Sequence, residues 1–116
     1  MRRMSFAHTK QQIRNRTKDV TRRLGWLNVR VGERIAACDK TMGLKKGERS
    51  EILSEIRVTY VNREQLNIIT KREVEREGFP DMTPDEFVTM FCGHMKCKSN
   101  AIITRIAFEY IDARVQ

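Results

Sequence analysis

Residues 101–111 read AIITRIAFEYI, and their alternation decides the fold class. Ile102, Thr104, Ile106, Phe108 and Tyr110 share one face of an extended chain; Ile103, Arg105, Ala107 and Glu109 share the other. An apolar face this long and complete belongs to a strand with neighbours on both sides. IRVTYVN (56–62) repeats the pattern, with Ile56, Val58 and Tyr60 alternating with Arg57 and Thr59, which puts Tyr60 in the core. Between these strands, TKREVEREGF reads as a short helix ending at Gly78, where the missing β-carbon suits a left-handed cap. TPDEF opens another helix, with Thr83 as N-cap, Pro84 at the first position and Glu86 three residues after the cap. Phe87, Met90 and Phe91 follow at helical spacing and face the core.

The first half is built from shorter pieces. Thr9 and Gln12 have the form of a capping box, opening a helix over about Lys10 to Arg16 with Ile13 as its one large apolar residue and Phe6 as staple. Val20 to Leu24 alternates as a strand, with Val20, Arg22 and Leu24 opposite Thr21 and Arg23. Val29 and Val31 lead to a turn at Gly32 and a strand from Arg34 to Cys38, and GLKKGE supplies a loop. The order is helix, several short strands, two helices, last strand. It predicts an α+β fold: a small, mostly antiparallel β-barrel with short helices at its ends.

Composition narrows the class. The chain of 116 residues makes one domain, 1–116, with 40% apolar and 33% charged side chains, an ordinary soluble mixture. No apolar run approaches the roughly 20 residues of a membrane span, and the basic start MRRMSFAHTKQQIRNR is not followed by a signal-peptide core. The expectation is a cytoplasmic protein, monomeric, without membrane contact. Three cysteines, an odd number, argue against a disulfide framework.

The net charge of +8 is concentrated in the first 23 residues, where eight Lys or Arg face the single acid Asp19; the remainder nearly balances, at 15 basic and 14 acidic. A basic segment 1–23 points to a polyanion, most simply nucleic acid or a phosphate-bearing fragment of it. The competing reading is a solvated basic face that serves solubility. TKDVTRR, Thr17 to Arg23, carries the densest part of this charge.

Together, TKDVTRR, VRVGERI, EREGF, PDEFVTMFC and TRIAFEYI resemble a small stand-alone ASCH domain, a relative of the PUA fold, from about Ser5 to Ile111. The most informative element is a lysine, two residues, a threonine, one residue and an arginine, met by Lys18, Thr21 and Arg23. The resemblance implies a PUA-like barrel whose cleft binds RNA or a modified nucleoside. In its acetylcytidine amidohydrolase branch a lysine, a threonine and a glutamate are catalytic, matching Lys18, Thr21 and Glu77. Other ASCH proteins are ribonucleases or RNA-binding modules. Arg16 stands where the family often has glycine, and Thr21 where many members have glutamate.

The chemistry sets conditions on these residues. A threonine hydroxyl attacks only when a base takes its proton. Lysine serves as that base only if burial or neighbouring positive charge, as from Arg22 and Arg23, lowers its pKa. In a regular strand Lys18 and Thr21 face opposite ways, so Lys18 must lie before the strand begins. Taken singly, without the resemblance, Lys18, Thr21 and Glu77 read first as a solvated lysine, a strand former and a helix-surface acid. Arg16, Arg22 and Arg23 are candidate nucleic-acid or nucleoside contacts, and Trp26 a candidate stacking platform or a core residue.

CGHMKC adds Cys92, His94 and Cys97, weak candidates for a metal. Their spacing is not that of a standard zinc knuckle, so no cofactor is expected and zinc is the minor alternative. Three functions remain open: hydrolysis of an exocyclic amide on a modified pyrimidine or cleavage of RNA, RNA binding without catalysis, and, more remotely, a DNA-binding regulator using the basic N-terminal helix.

Overall fold

A computed structural model of the chain describes residues 1–111. Its elements run β1 (Arg2–Ser5), a 3-10 turn (Ala7–Thr9), α1 (Lys10–Arg14), β2 (Val20–Arg23), β3 (Arg34–Cys38) and β4 (Ile52–Gln65). A second 3-10 turn (Leu66–Ile68), α2 (Lys71–Arg76), α3 (Pro84–Met95) and β5 (Ile102–Ile111) complete it. The strands form one sheet in the order β1-β3-β4-β5-β2, curled into a half-barrel. β1 pairs with β3 in parallel and every other pairing is antiparallel. The α+β, mostly antiparallel fold expected from the sequence is the one observed, and β5 lies between β4 and β2 as its apolar face requires. Among the described residues no helix is long and apolar enough to cross a membrane.

Two apolar clusters fill the molecule. Met4, Phe6, Ile13, Ile35, Ile56, Val58, Ile106 and Phe108 pack inside the curl of the sheet, with α1 lying over β4. Leu66, Val74, Phe87, Phe91 and Ile103 pack where α2 and α3 meet the start of β5. β5 contributes to both, through Ile103 on one side and Ile106 and Phe108 on the other.

Several local expectations are corrected. Tyr60 is 57% exposed, not core. β4 carries a bulge there: Val58 opposes Phe108, but Tyr60, two residues on, opposes the adjacent Ala107. The extra residue, Thr59, reverses the in–out alternation, so Val61 and not Tyr60 packs on the core. The Thr9 capping box does not form. The chain enters α1 through the 3-10 turn, Thr9 makes no side-chain cap bond, and the Gln12 amide donates instead to Gly78 O at 3.2 Å. α1 stops at Arg14, two residues early, and Arg16 takes the left-handed conformation (φ 61°) that turns the chain towards β2. β1 was not anticipated. The Thr83 cap is as read, with both halves of its capping box made, and Gly78 has φ 100°.

Candidate functional site

The segment before β2 is fixed from three sides. Asp19 N–H donates to Arg76 O at the end of α2 (3.0 Å), Phe108 N–H donates to Asp19 O (3.0 Å), and the Tyr110 hydroxyl donates to Lys18 O. Lys18 thus precedes the strand, as the chemistry demanded, and joins Thr21 on the wall of one pocket. Across from them, α2 ends at Glu77 and turns at Gly78. A β-carbon on Gly78 would stand 2.7 Å from Gln12 Cγ and 3.5 Å from Lys18 Cβ, so the glycine permits both the turn and the close approach.

The result is a buried charge cluster. The Lys18 ammonium donates to Glu77 Oε1 at 2.6 Å and to Glu77 O at 2.9 Å. Arg22 Nη1 donates to Glu77 Oε2 at 3.1 Å, while its Nη2 reaches Glu73 Oε1 (2.7 Å) and Glu64 Oε2 (3.3 Å). Arg105 closes the network with two bonds to Glu73, at 2.6 and 3.1 Å. Arg23 Nε donates to Thr21 Oγ1 at 3.0 Å, and its guanidinium lies 4.7 Å over the Phe6 ring. Lys18, Thr21 and Glu77 are each at most 3% exposed.

Burial governs the protonation of these groups. It pushes the Lys18 ammonium below its ordinary value; Glu77 opposes this, and Arg23 and Arg22 add to the lowering. Arg23 is pushed down to about 10 by burial, again against the pull of Glu77. Burial would raise Glu73, but hydrogen bonds from Arg105 and Arg22 and their charges hold it at about 2.

These residues form the polar end of a cavity of about 200 Å³. Its walls are apolar, from Phe79, Phe87, Met90 and Phe91, and His8 and His94 lie at its edge. The two imidazoles stack with centroids 4.2 Å apart and planes 13° from parallel. Sequence reasoning assigned Phe87, Met90 and Phe91 to the core, where Phe87 and Phe91 also pack, and did not see them as a pocket wall. It missed His8, Phe79 and Glu73 altogether. The only signal for Glu73 was its four-residue spacing from Glu77, which puts both carboxylates on one face of α2.

The other candidates lie elsewhere or are differently engaged. The Arg22 side chain is fully buried and committed to three carboxylates. Arg16 lines a separate depression with Arg72 and Arg76, and its guanidinium sits 5.2 Å over the Tyr110 ring. Trp26 is half-buried against the first apolar cluster, with the Arg2 guanidinium 4.8 Å over its ring. Among the described residues no three His, Cys, Asp or Glu side chains are grouped to hold a metal; Cys92, His94 and Cys97 do not form such a set.

No family model and no curated protein matches the sequence. Solved structures do match the fold. A crystal structure of an Enterococcus faecalis protein of the DUF984 family superposes with a TM-score of 0.67 at 17% identity, over 97% of this chain and 77% of that one. An ASCH domain from Lactobacillus crispatus superposes with a TM-score of 0.62 at 15% identity, over 89% and 70%. A hypothetical protein gives 0.63 at 14%, over 94% and 95%. With its mixed half-barrel sheet and three short helices, this chain has the fold of a small ASCH-like domain.

Proposed function

We propose that the pocket receives one modified pyrimidine base, free as a nucleoside or turned out of an RNA strand, and that the chain hydrolyses an amide on its exocyclic nitrogen. The observation that carries this reading is the burial of Thr21 beside Lys18 and Glu77 at the polar end of an apolar cavity. A shallow basic groove with Thr21 packed away would have favoured binding alone. The cavity is large enough for a planar base and too small for a strand, and its aromatic walls suit stacking. The resemblance of TKDVTRR to the acetylcytidine amidohydrolases supports the same roles.

In this reading Lys18, whose ammonium burial pushes below its ordinary value, takes the Thr21 hydroxyl proton as Oγ1 attacks the amide carbonyl carbon. Arg23, already bonded to Oγ1, favours the charge that develops there. The carbon–nitrogen bond breaks, Lys18 returns its proton to the leaving exocyclic nitrogen, and the acyl group remains on Thr21. Water then hydrolyses this ester to a carboxylic acid and restores the hydroxyl. Glu77 holds the lysine in place through two bonds.

One observation favours the second reading, an RNA-binding module without turnover. Lys18 is bonded to Glu77, and no hydrogen bond joins it to Thr21 among the described residues. The experiment that separates the two is acetate release from acetylcytidine, free and within short RNA, by wild type beside Thr21→Ala and Lys18→Ala. Turnover lost in both variants supports the enzyme. No turnover in wild type, with salt-dependent RNA binding that survives Thr21→Ala, supports the module.

A further inference from the structure

Away from the pocket floor, the end of α3 brings two thiols together. Cys97 Sγ lies 3.8 Å from Cys92 Sγ, although they stand five positions apart in the chain. The cause is local. Lys96 adopts the left-handed conformation (φ 53°, ψ 51°) and its N–H donates to Cys92 O at 2.8 Å, which reverses the chain and lays residue 97 back over the last helical turn. A helix stop of this kind is often sealed by an apolar contact between these two positions. Here both positions are cysteine, and both side chains are half-buried at the margin of the second cluster. The third thiol, Cys38, is fully buried in β3.

We propose that Cys92 and Cys97 are a dithiol modification site, closed to an internal disulfide by a small disulfide oxidant such as oxidised glutathione. A disulfide requires the sulfurs at about 2.05 Å, and side-chain rotation of two short residues already facing one another supplies the approach. Cys92, as thiolate, attacks the oxidant, forming a mixed disulfide and expelling one glutathione thiolate. Cys97 then loses its proton and attacks the Cys92 sulfur, forming the internal bond and expelling the second glutathione. Two protein thiols are oxidised and one disulfide is reduced to two thiols. Burial and the neighbouring Cys92 push the Cys97 thiol up, which lowers its thiolate fraction and disfavours it as the first attacker. The closed bond pins the end of α3, the turn that supplies His94 and Met95 to the pocket edge. The site does not depend on what the pocket binds.

The test is to incubate the reduced, folded protein with oxidised glutathione, then count thiols in denaturant and map the product with trypsin. Lys96 separates the two cysteines, so trypsin leaves the dipeptide Cys97–Lys98 attached to the fragment 77–96 only through the disulfide. The expected result is a fall from three thiols to one, a linked dipeptide released by reductant, and slower amide exchange at the end of α3. Cys97→Ser is expected to stop at the glutathione adduct on Cys92, with the far-ultraviolet circular dichroism unchanged. Three unreacted thiols, adducts without closure in wild type, or disulfides joining two chains would each overturn the proposal and leave the pair as the apolar seal of a helix stop.

Discussion

Glu77 holds Lys18 twice, through its carboxylate at 2.6 Å and through its own backbone carbonyl at 2.9 Å. The same carboxylate also receives Arg22, so one acid answers two buried cations. Removing the acid and removing the lysine are therefore unequal. Glu77→Gln removes the carboxylate that pairs with buried Lys18, while Arg22 keeps Glu73 and Glu64; it is expected to cost about 3–5 kcal/mol, the usual penalty for an uncompensated buried charge. Lys18→Met leaves Glu77 paired with Arg22 and replaces a desolvated ammonium by an apolar chain; its cost is expected below about 2 kcal/mol. Urea denaturation of both variants at neutral pH measures the difference, and equal losses would refute the asymmetry.

Thr21→Ala is expected to abolish acetate release while retaining nucleoside affinity, because the hydroxyl serves attack and not packing. Lys18→Ala is expected to lower turnover by about 10²–10⁴-fold, the usual contribution of a positioned base. On the proposed mechanism Lys18 acts only when neutral, so kcat/KM is expected to rise with pH. Because burial lowers the Lys18 pKa, the midpoint lies below the ordinary value of 10.5. A profile flat from pH 6 to pH 10 would remove Lys18 from the base role.

Glu73 is held at about 2 by Arg105 and Arg22 against the opposing effect of burial, from an ordinary value of 4.5. A carboxylate depressed in the folded state stabilises the fold fully above its unfolded value, and that contribution fades as acid protonates it. Stability is expected to fall from about pH 4.5 towards pH 2, and Glu73→Gln to flatten this limb while lowering stability at neutral pH. Denaturation midpoints across pH 2–6 measure it; a parallel limb in the variant assigns the acid sensitivity elsewhere.

The bulge in β4 makes neighbouring side chains differ sharply. Tyr60→Ser is expected to change stability by no more than about 0.5 kcal/mol, as at an ordinary surface position. Ile106→Ala, on the opposing strand inside the curl, is expected to cost about 2–5 kcal/mol. A large loss at Tyr60 would place it in a contact that the sheet does not provide.

Gly78→Ala combines an unfavourable φ of 100° with a β-carbon 2.7 Å from Gln12 Cγ. The expected loss exceeds about 1 kcal/mol, the scale of an alanine forced into a positive φ. Gln12→Ala in the same background is expected to recover part of it. Thermal denaturation of the single and double variants reads the coupling.

The parts legible in the sequence share a property: their signals are local. Thr83, Pro84 and Glu86 announce α3 within four residues, and AIITRIAFEYI announces a central strand by alternation alone. Thr17–Arg23 and EGF were legible as pieces of one site only through a family spacing. Their meeting depends on Lys18 falling before β2 and on the tight turn at Gly78, which are tertiary matters. β1 was invisible because Arg2–Ser5 holds one buried apolar residue, Met4, and is defined by its parallel partner β3. Tyr60 went wrong for a reason no alternation reveals, since a bulge is set by the register of two strands. Gln12 was read as a cap because its real acceptor, Gly78 O, lies 66 residues away.

The sheet order also fixes when this protein can work. β2, which carries Thr21, Arg22 and Arg23, pairs with β5 and is placed at the sheet edge by that pairing. During synthesis the ribosome releases the β2 part of the site early and the strand that places it some eighty residues later. Until β5 emerges, β2 has no strand to pair with in this sheet. The β2 wall of the pocket is complete only once the strand from Ile102 to Ile111 lies between β4 and β2.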